Sequence, residues 1–240
     1  MQLGDGTFVA AGSSGTNFAL ARYWGDNSPP PYALGGANAV FVAMVYRQLL
    51  GREVDVAGLP GWVNWLGQGA SRAQVTQAIE QSAEYRTKLV DSLYLQFLHR
   101  PADAPGESGF VAALGAGMTI EQVKALILGS PEYLAKAGST DTAFLQAVYH
   151  DVLSRAMDAG GAASWEAAMA AGMTPTQAAF LITTSIEARQ DLIQADYQQY
   201  LQRPADPGGL ASWLNALSHS LRDEGLLAGV AGSQEYFEQL

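Results

Sequence analysis

Apolar residues recur at two different periods along the chain, and the change falls near residue 38. Before it, Thr7-Phe8-Val9-Ala10-Ala11-Gly12 and Asn17-Phe18-Ala19-Leu20-Ala21-Arg22-Tyr23 are short strand-like runs separated by Ser13-Ser14-Gly15-Thr16. This pattern predicts a β-hairpin within residues 1–27. An N-terminal arm packed on the following helices is the alternative. Residues 28–37 read as a Pro/Gly linker, stiffened by the three consecutive prolines Pro29, Pro30 and Pro31. After it, Val40, Phe41, Met44, Val45, Gln48 and Leu49 fall on one stripe at i, i+3, i+4 spacing. They predict a helix with Asn38 as its cap, ending near Gly51 and Arg52.

That helix opens a pattern that occurs four times. Arg52, Arg100, Arg155 and Arg203 are each followed at +3 by Asp (Asp55, Asp103, Asp158, Asp206) and at +6 by Gly (Gly58, Gly106, Gly161, Gly209). At +10 stands a large aromatic: Trp62, Phe110, Trp165 and Trp213. A Ser follows at +30 and a Glu at +32 in every copy. An internal repeat with fixed spacing predicts an all-α architecture of tandem helical units of about 48 residues.

Local chemistry assigns helix boundaries within each copy. An Asp just before Pro, as in Asp206-Pro207, has the order of an N-cap and first turn. The Gly at +6 then permits close approach of another backbone. The aromatic at +10 pairs at i, i+4 with Leu66, Leu114, Met169 or Leu217, which makes these pairs core candidates. Gly69, Gly117 and Gly172 at +17, with Ser220 in the last copy, would end the second helix. Ser71 to Gln74, Thr119 to Gln122 and Thr174 to Gln177 are capping boxes for the third; in the last copy Arg222 stands at the cap, and Ser220 with Asp223 offers a displaced one. The Ser at +30 starts the next helix, with Glu in its first turn, where negative charge is favoured. The Arg-to-Arg spacing is 48, 55 and 48, and the added residues lie around Gly138-Ser139-Thr140. The expected division is therefore 38–138 for repeats one and two and 139–240 for repeats three and four, stacked into one elongated body.

Composition narrows the functional classes. The chain is 48% hydrophobic and 15% charged, a globular balance, and carries a net charge of −10. So acidic a surface opposes nucleic acid and anionic membrane as partners. No cysteine is present, so neither a disulfide framework nor a thiolate metal site forms. No apolar run approaches the length of a membrane span, and Met1 to Gly6 lack the charged and apolar regions of a signal peptide.

The candidate sites reduce mostly to architecture. Each Arg-x-x-Asp loop offers one regular acid, too few oxygens for calcium, so the Asp reads as a cap. His99, His150 and His219 occupy unrelated repeat positions without metal-ligand spacing. His150 and Asp151 are neighbours on a presumed helix and should not face one another. No nucleophile elbow or phosphate-binding loop occurs. Thus no catalytic residue, cofactor site or metal site is expected. Trp65, which has no aromatic counterpart in the other copies, is the candidate ligand contact, as aromatic faces suit sugar rings.

The order Tyr-x-x-Leu-Leu-Gly-Arg-x-x-Asp-x-x-Gly, then Trp, then Gly-x-Ser or Gly-x-Thr, then Ser-x-Glu-Tyr resembles the bacterial family known as domain of unknown function 4214. It stands here as Tyr46, Arg52, Asp55, Gly58, Trp62, Gly69, Ser82, Glu84 and Tyr85, and recurs from Tyr94, Tyr149 and Tyr197. A more distant similarity is to the helical linker domain of phycobilisomes. Asp5-Gly6, Ala11-Gly12 and Phe18 to Tyr23 resemble one unit of the β repeats of large bacterial surface proteins, which suggests a fragment beginning partway through an array. These resemblances imply a non-enzymatic structural or protein-interaction module of a larger secreted or cell-surface bacterial protein. Its partners would be another protein or neighbouring domains. A glycan-binding or glycan-processing accessory is the alternative.

Overall fold

A computed structural model describes residues 36–240, together with the backbone of residues 8–14 and 17–23. Phe8–Ser14 (β1) and Asn17–Tyr23 (β2) pair antiparallel, with Phe8 opposite Tyr23. Ser13 and Ser14, expected in the turn, belong to β1; Gly15 and Thr16, and the linker as far as residue 35, lie outside the described residues. The chain forms two compact units, Met1–Ala70 with Leu240, and Ser71–Gln239.

In the first unit α1 (Gly36–Val45) runs into a π-helical turn, Tyr46–Leu50, and packs on α2 (Leu59–Gly67). Helix α1 begins two residues ahead of Asn38, so Asn38 lies inside it and does not cap it. Of the apolar stripe, Phe41, Val45 and Leu49 are buried while Val40 and Met44 are half-buried, and Val42, which lies off the stripe, is buried too.

The second unit holds α3 (Arg72–Glu80), α4 (Ala83–Leu98), α5 (Ala104–Gly115), α6 (Ile120–Leu128) and α7 (Pro131–Ala137). It continues through α8 (Asp141–Leu153), α9 (Ala159–Ala170), α10 (Pro175–Thr183) and α11 (Ile186–Leu201). It closes with α12 (Pro207–Ser218), α13 (Asp223–Ala231) and α14 (Gln234–Glu238). Helices α4 and α11 each serve as the end of one copy and the start of the next. Between the second and third copies the seven additional residues split that helix in two. Gly138 takes a left-handed conformation with φ 109°, and Thr140 caps α8 through a bond from the Ala143 amide. One buried apolar cluster nevertheless runs across the split, joining Leu98, Leu128 and Tyr133 to Phe144, Leu145 and Ile182.

The third helices pair in two nested couples. Helix α6 packs on α10, and α3 packs on α13, so copy two meets copy three and copy one meets copy four. The third helices are therefore not each packed on the next one along the chain. Two glycines show why. A Cβ at Gly129 would stand 2.7 Å from both the backbone N and the Cα of Thr176, and one at Gly232 would stand 2.5 Å from the Cα of Ala73. Both glycines are at +29 and both neighbours at +21, so the same two positions touch in each couple. Copies one and three carry Gln81 and Thr184 at +29. Only copies two and four present the gap that lets another helix start there.

The residue before each repeat Arg is left-handed: Gly51, His99, Ser154 and Gln202 have φ of 62°, 50°, 53° and 55°. Three of the four are not glycine, so they hold a conformation that a Cβ disfavours. Ser154→Gly is expected to raise unfolding stability by about 0.5–1 kcal/mol, measured as a higher urea midpoint. An unchanged or lower midpoint would show that the strain relieved does not exceed the entropy that glycine adds to the unfolded chain. The same left-handed geometry recurs at +17, in Gly69, Gly117 and Gly172 and also in Ser220 with φ 78°, which confirms the helix-ending role read for that position.

Candidate functional site

The recurrent residues assemble around each Arg. Arg100 Nε and Nη2 donate to the two carboxylate oxygens of Glu132 at 2.8 and 2.6 Å. Arg155 binds Glu187 in the same way at 2.5 and 2.7 Å, and Arg203 binds Glu235 at 2.5 and 2.7 Å. In all four copies the guanidinium lies over the ring of the Tyr six residues earlier, 5.1–5.2 Å from its centroid. The Arg also donates to the carbonyl of the residue that follows it. A planar fork suits this combination of bidentate pairing and stacking, which Lys could not supply. The Arg100 hydrogen bond holds Glu132 down at about 2, and Glu187 and Glu235 are lowered by their own arginines. These pairs are more than one-third exposed, so solvent screens them and their main effect is to fix the loop.

The Asp at +3 is a cap, as the sequence predicts. Asp103, Asp158 and Asp206 accept from the amides of Gly106, Gly161 and Gly209 at 2.9 Å, and that backbone bond lowers each carboxyl below its ordinary range. Asp55 accepts from Gly58 at 2.5 Å but caps a turn, and α2 starts only at Leu59. The Gly at +6 adjoins side chains where backbone was expected. A Cβ at Gly209 would lie 3.0 Å from the Tyr197 hydroxyl, and one at Gly58 would lie 2.9 Å from the Asp55 carboxylate.

The aromatic at +10 is half-buried rather than central to the core. Trp62, Trp165 and Trp213 donate their indole N–H to the hydroxyls of Tyr46, Tyr149 and Tyr197 at 2.9, 2.8 and 3.0 Å. Phe110 has no such donor and meets Tyr94 edge-on, with centroids 6.2 Å apart. Trp65 lies on α2 at 38% exposure, its ring 6.0 Å from that of Trp62. His150 and Asp151 do meet although they are neighbours on α8, with Nδ1 of the exposed imidazole 2.9 Å from Oδ1. Asp151 also accepts from the Tyr133 hydroxyl at 2.8 Å. Among the described residues no cluster of His, Asp and Glu has metal-binding geometry, and no helix is long and apolar enough to cross a membrane.

This spacing and framework carry the comparison with known families. The family described as Domain of unknown function (DUF4214) matches residues 31–89, 124–192 and 188–240. The chain belongs to this family. No curated protein and no solved structure matches it. Residues 90–123, which hold the second Arg-to-Gly stretch and Phe110, fall between the matched DUF4214 segments.

Against the DUF4214 framework, the residues peculiar to single copies stand out. Glu80 is 2% exposed, and neither carboxylate oxygen has a hydrogen-bond partner within the protein. Its repeat counterparts are Leu128, Thr183 and Ala231. Burial, with repulsion from Glu224 and Asp196, pushes its carboxyl up to about 9. Asp196, also buried, sits where the other copies have Val45, Leu93 and Val148, and burial raises it to about 7. Asp223 at the start of α13 is raised by burial and stands 3.8 Å from the ammonium of Lys124. Burial works against Glu121 too, but its hydrogen bond with Asp223 leaves it below its ordinary range. The expected displaced cap is absent here: Arg222 occupies the cap position without capping and instead donates to the Met118 carbonyl at 2.6 Å.

The α6–α10 couple differs in another way. It frames an open apolar groove of about 870 Å³, walled by Met118, Leu126, Met173, Phe180 and Leu181. Sequence reasoning missed both features. Comparing the copies position by position at +28 would have singled out Glu80; the same comparison at +26 shows Leu126 and Leu181 as larger than Ala78 and Gly229, but not that they are exposed.

Proposed function

We propose that this DUF4214 chain is a non-enzymatic structural or protein-interaction module of a larger secreted or cell-surface bacterial protein. One observation carries the reading. The recurrent polar residues are engaged by their own framework, as Arg100, Asp103 and Glu132 illustrate, which leaves no recurrent set converging on a cleft. Large apolar side chains that reach solvent, such as Leu95, Leu126, Leu181 and Ile186, stand at positions where other copies carry small or polar residues. Exposed apolar surface that the repeat does not require is the mark of a contact surface. The bacterial and surface location rests on the resemblance to the bacterial DUF4214 family and on the likeness of Asp5 to Tyr23 to surface-protein β repeats.

The test is photo-crosslinking in producing cells, with the reactive residue placed at Leu95, Leu126 or Ile186. Discrete protein adducts from at least one position are expected. Uniform absence of adducts would overturn the proposal, as would turnover of a glycan by the purified chain. The exposed Trp65 indole supports the second reading, a glycan contact; sugar-dependent quenching of tryptophan fluorescence that Trp65→Ala abolishes would establish it over the first.

A further inference from the structure

The groove on the α6–α10 couple has no role in the repeat fold. At +18 the four copies carry Ala70, Met118, Met173 and Leu221, and at +26 Ala78, Leu126, Leu181 and Gly229. Copies one and four build the same third helix without the bulky pair of side chains at +26, so the fold does not require them there. Yet Leu126, Phe180 and Leu181 remain 41%, 37% and 48% exposed on the one couple that has them. Leaving such side chains in water forgoes the stabilisation that burying them would bring. They face a shared hollow whose lining also includes the small residues Ala125, Ala168 and Gly172, which allows a partner backbone to come close. Two methionines flank it, and their flexible thioethers adapt to varied apolar surfaces.

The chemistry of the hollow selects among occupants. A second copy of the same face would set hollow against hollow, and a two-fold interface needs a self-complementary surface. An anionic lipid would need a cation for its headgroup, but no charged residue lines the groove, and the chain carries −10. An amphipathic helix needs only an apolar channel for its i, i+3, i+4, i+7 side chains, with its polar face left in solvent. Against so acidic a protein, that outer face is favoured when basic. We infer that the α6–α10 groove binds a basic amphipathic helix of a protein partner. This rests on the interaction-module reading above and names the partner class for it.

The probe is a fluorescently labelled Leu/Lys amphipathic helical peptide, titrated into the full chain by anisotropy. One-to-one binding that weakens with salt is expected. The Leu126→Glu/Leu181→Glu variant should lose roughly tenfold or more in affinity, as central apolar contacts do when truncated. That variant makes the protein more acidic, so nonspecific attraction would strengthen rather than fail. Leu95→Glu, the same change at an exposed site outside the groove, should bind like the parent chain. Leu181→Gln serves if the double variant loses its helical circular dichroism. Equal loss in Leu95→Glu would overturn the inference. So would equal binding of a Leu/Glu peptide, saturation of the groove by palmitate instead, or a dimer that Leu126→Glu/Leu181→Glu dissociates. If the peptides fail while crosslinks form from other faces, this inference falls and the module reading stands. If crosslinks are also absent, both fall.

Discussion

Gly129→Ala and Gly232→Ala are each expected to destabilise the second unit by about 1–3 kcal/mol, and toward the upper end of that range. The atoms a new methyl would meet are the Thr176 backbone N and Cα at 2.7 Å in one couple, and the Ala73 Cα at 2.5 Å in the other. Backbone cannot turn aside as a side-chain tip can, so two helices must separate. The damage should also be local. Gly129→Ala acts where α6 meets α10, and Gly232→Ala where α3 meets α13. Amide hydrogen exchange should therefore rise first in a different couple for each variant. Thr184→Ala, at the same repeat position in a copy without the close approach, is the control and should be nearly neutral. If both glycine variants melt like the parent chain, the helix couples do not depend on this contact. If each loosens both couples equally, the second unit opens as one cooperative body.

Those glycines mark the limit of what could be read from the chain alone. Interactions local in sequence were legible. Ser71 with Gln74, Thr119 with Gln122 and Thr174 with Gln177 do form reciprocal capping boxes, because residues three apart at a helix start have few other geometries. The left-handed glycines at +17 were legible for the same reason. The Arg-to-Glu pairs were not, since 32 residues separate the partners, although two opposite charges at fixed positions in every copy were a usable signal. The pairing of α3 with α13 was further out of reach, because repeat identity says nothing about which copies adjoin. The alternation of Gly129 and Gly232 with Gln81 and Thr184 was its only trace. The candidate groove was hidden differently: its walls satisfy the same helical periodicity as a core stripe, so exposure at Leu126 and Leu181 needed the structure.

Glu80 gives the prediction with the most distinctive signature. Its carboxyl is ordinary at about 4.5 in the unfolded chain and raised to about 9 in the fold, first by burial and then by Glu224 and Asp196. Facing it or adjoining this seam are Tyr85 on α4, Asp196 and Tyr200 on α11, Asp223 and Glu224 on α13, and Lys124 on α6. Between roughly pH 5 and 9 the unfolded chain has released this proton while the folded chain keeps it. Stability therefore falls as pH rises through that window, by up to about 1.4 kcal/mol per pH unit for this one group. Asp196 and Asp223, raised in the same sense, steepen the fall up to about pH 7. Below pH 4 the contribution of these three is fully present, and there the lowered Glu132, Glu187 and Glu235 act in the opposite sense. Glu80→Leu places at this position the residue that Leu128 supplies at its repeat counterpart, where it is fully buried. It is expected to flatten the decline above pH 5 and to exceed the parent chain by up to about 3 kcal/mol at pH 7. Glu80→Gln should flatten the decline equally, but a buried amide without partners keeps a pH-independent cost of about 1–3 kcal/mol. Urea unfolding at a series of pH values separates the two, slope reporting the charge and intercept the packing. Parent and Glu80→Leu curves that run parallel from pH 5 to 9 would mean that Glu80 is ionised in the fold, with water or a cation supplying the partners the protein does not. A flattened curve would establish that the seam between the first and last copies is closed around a protonated acid, and that alkali loosens it.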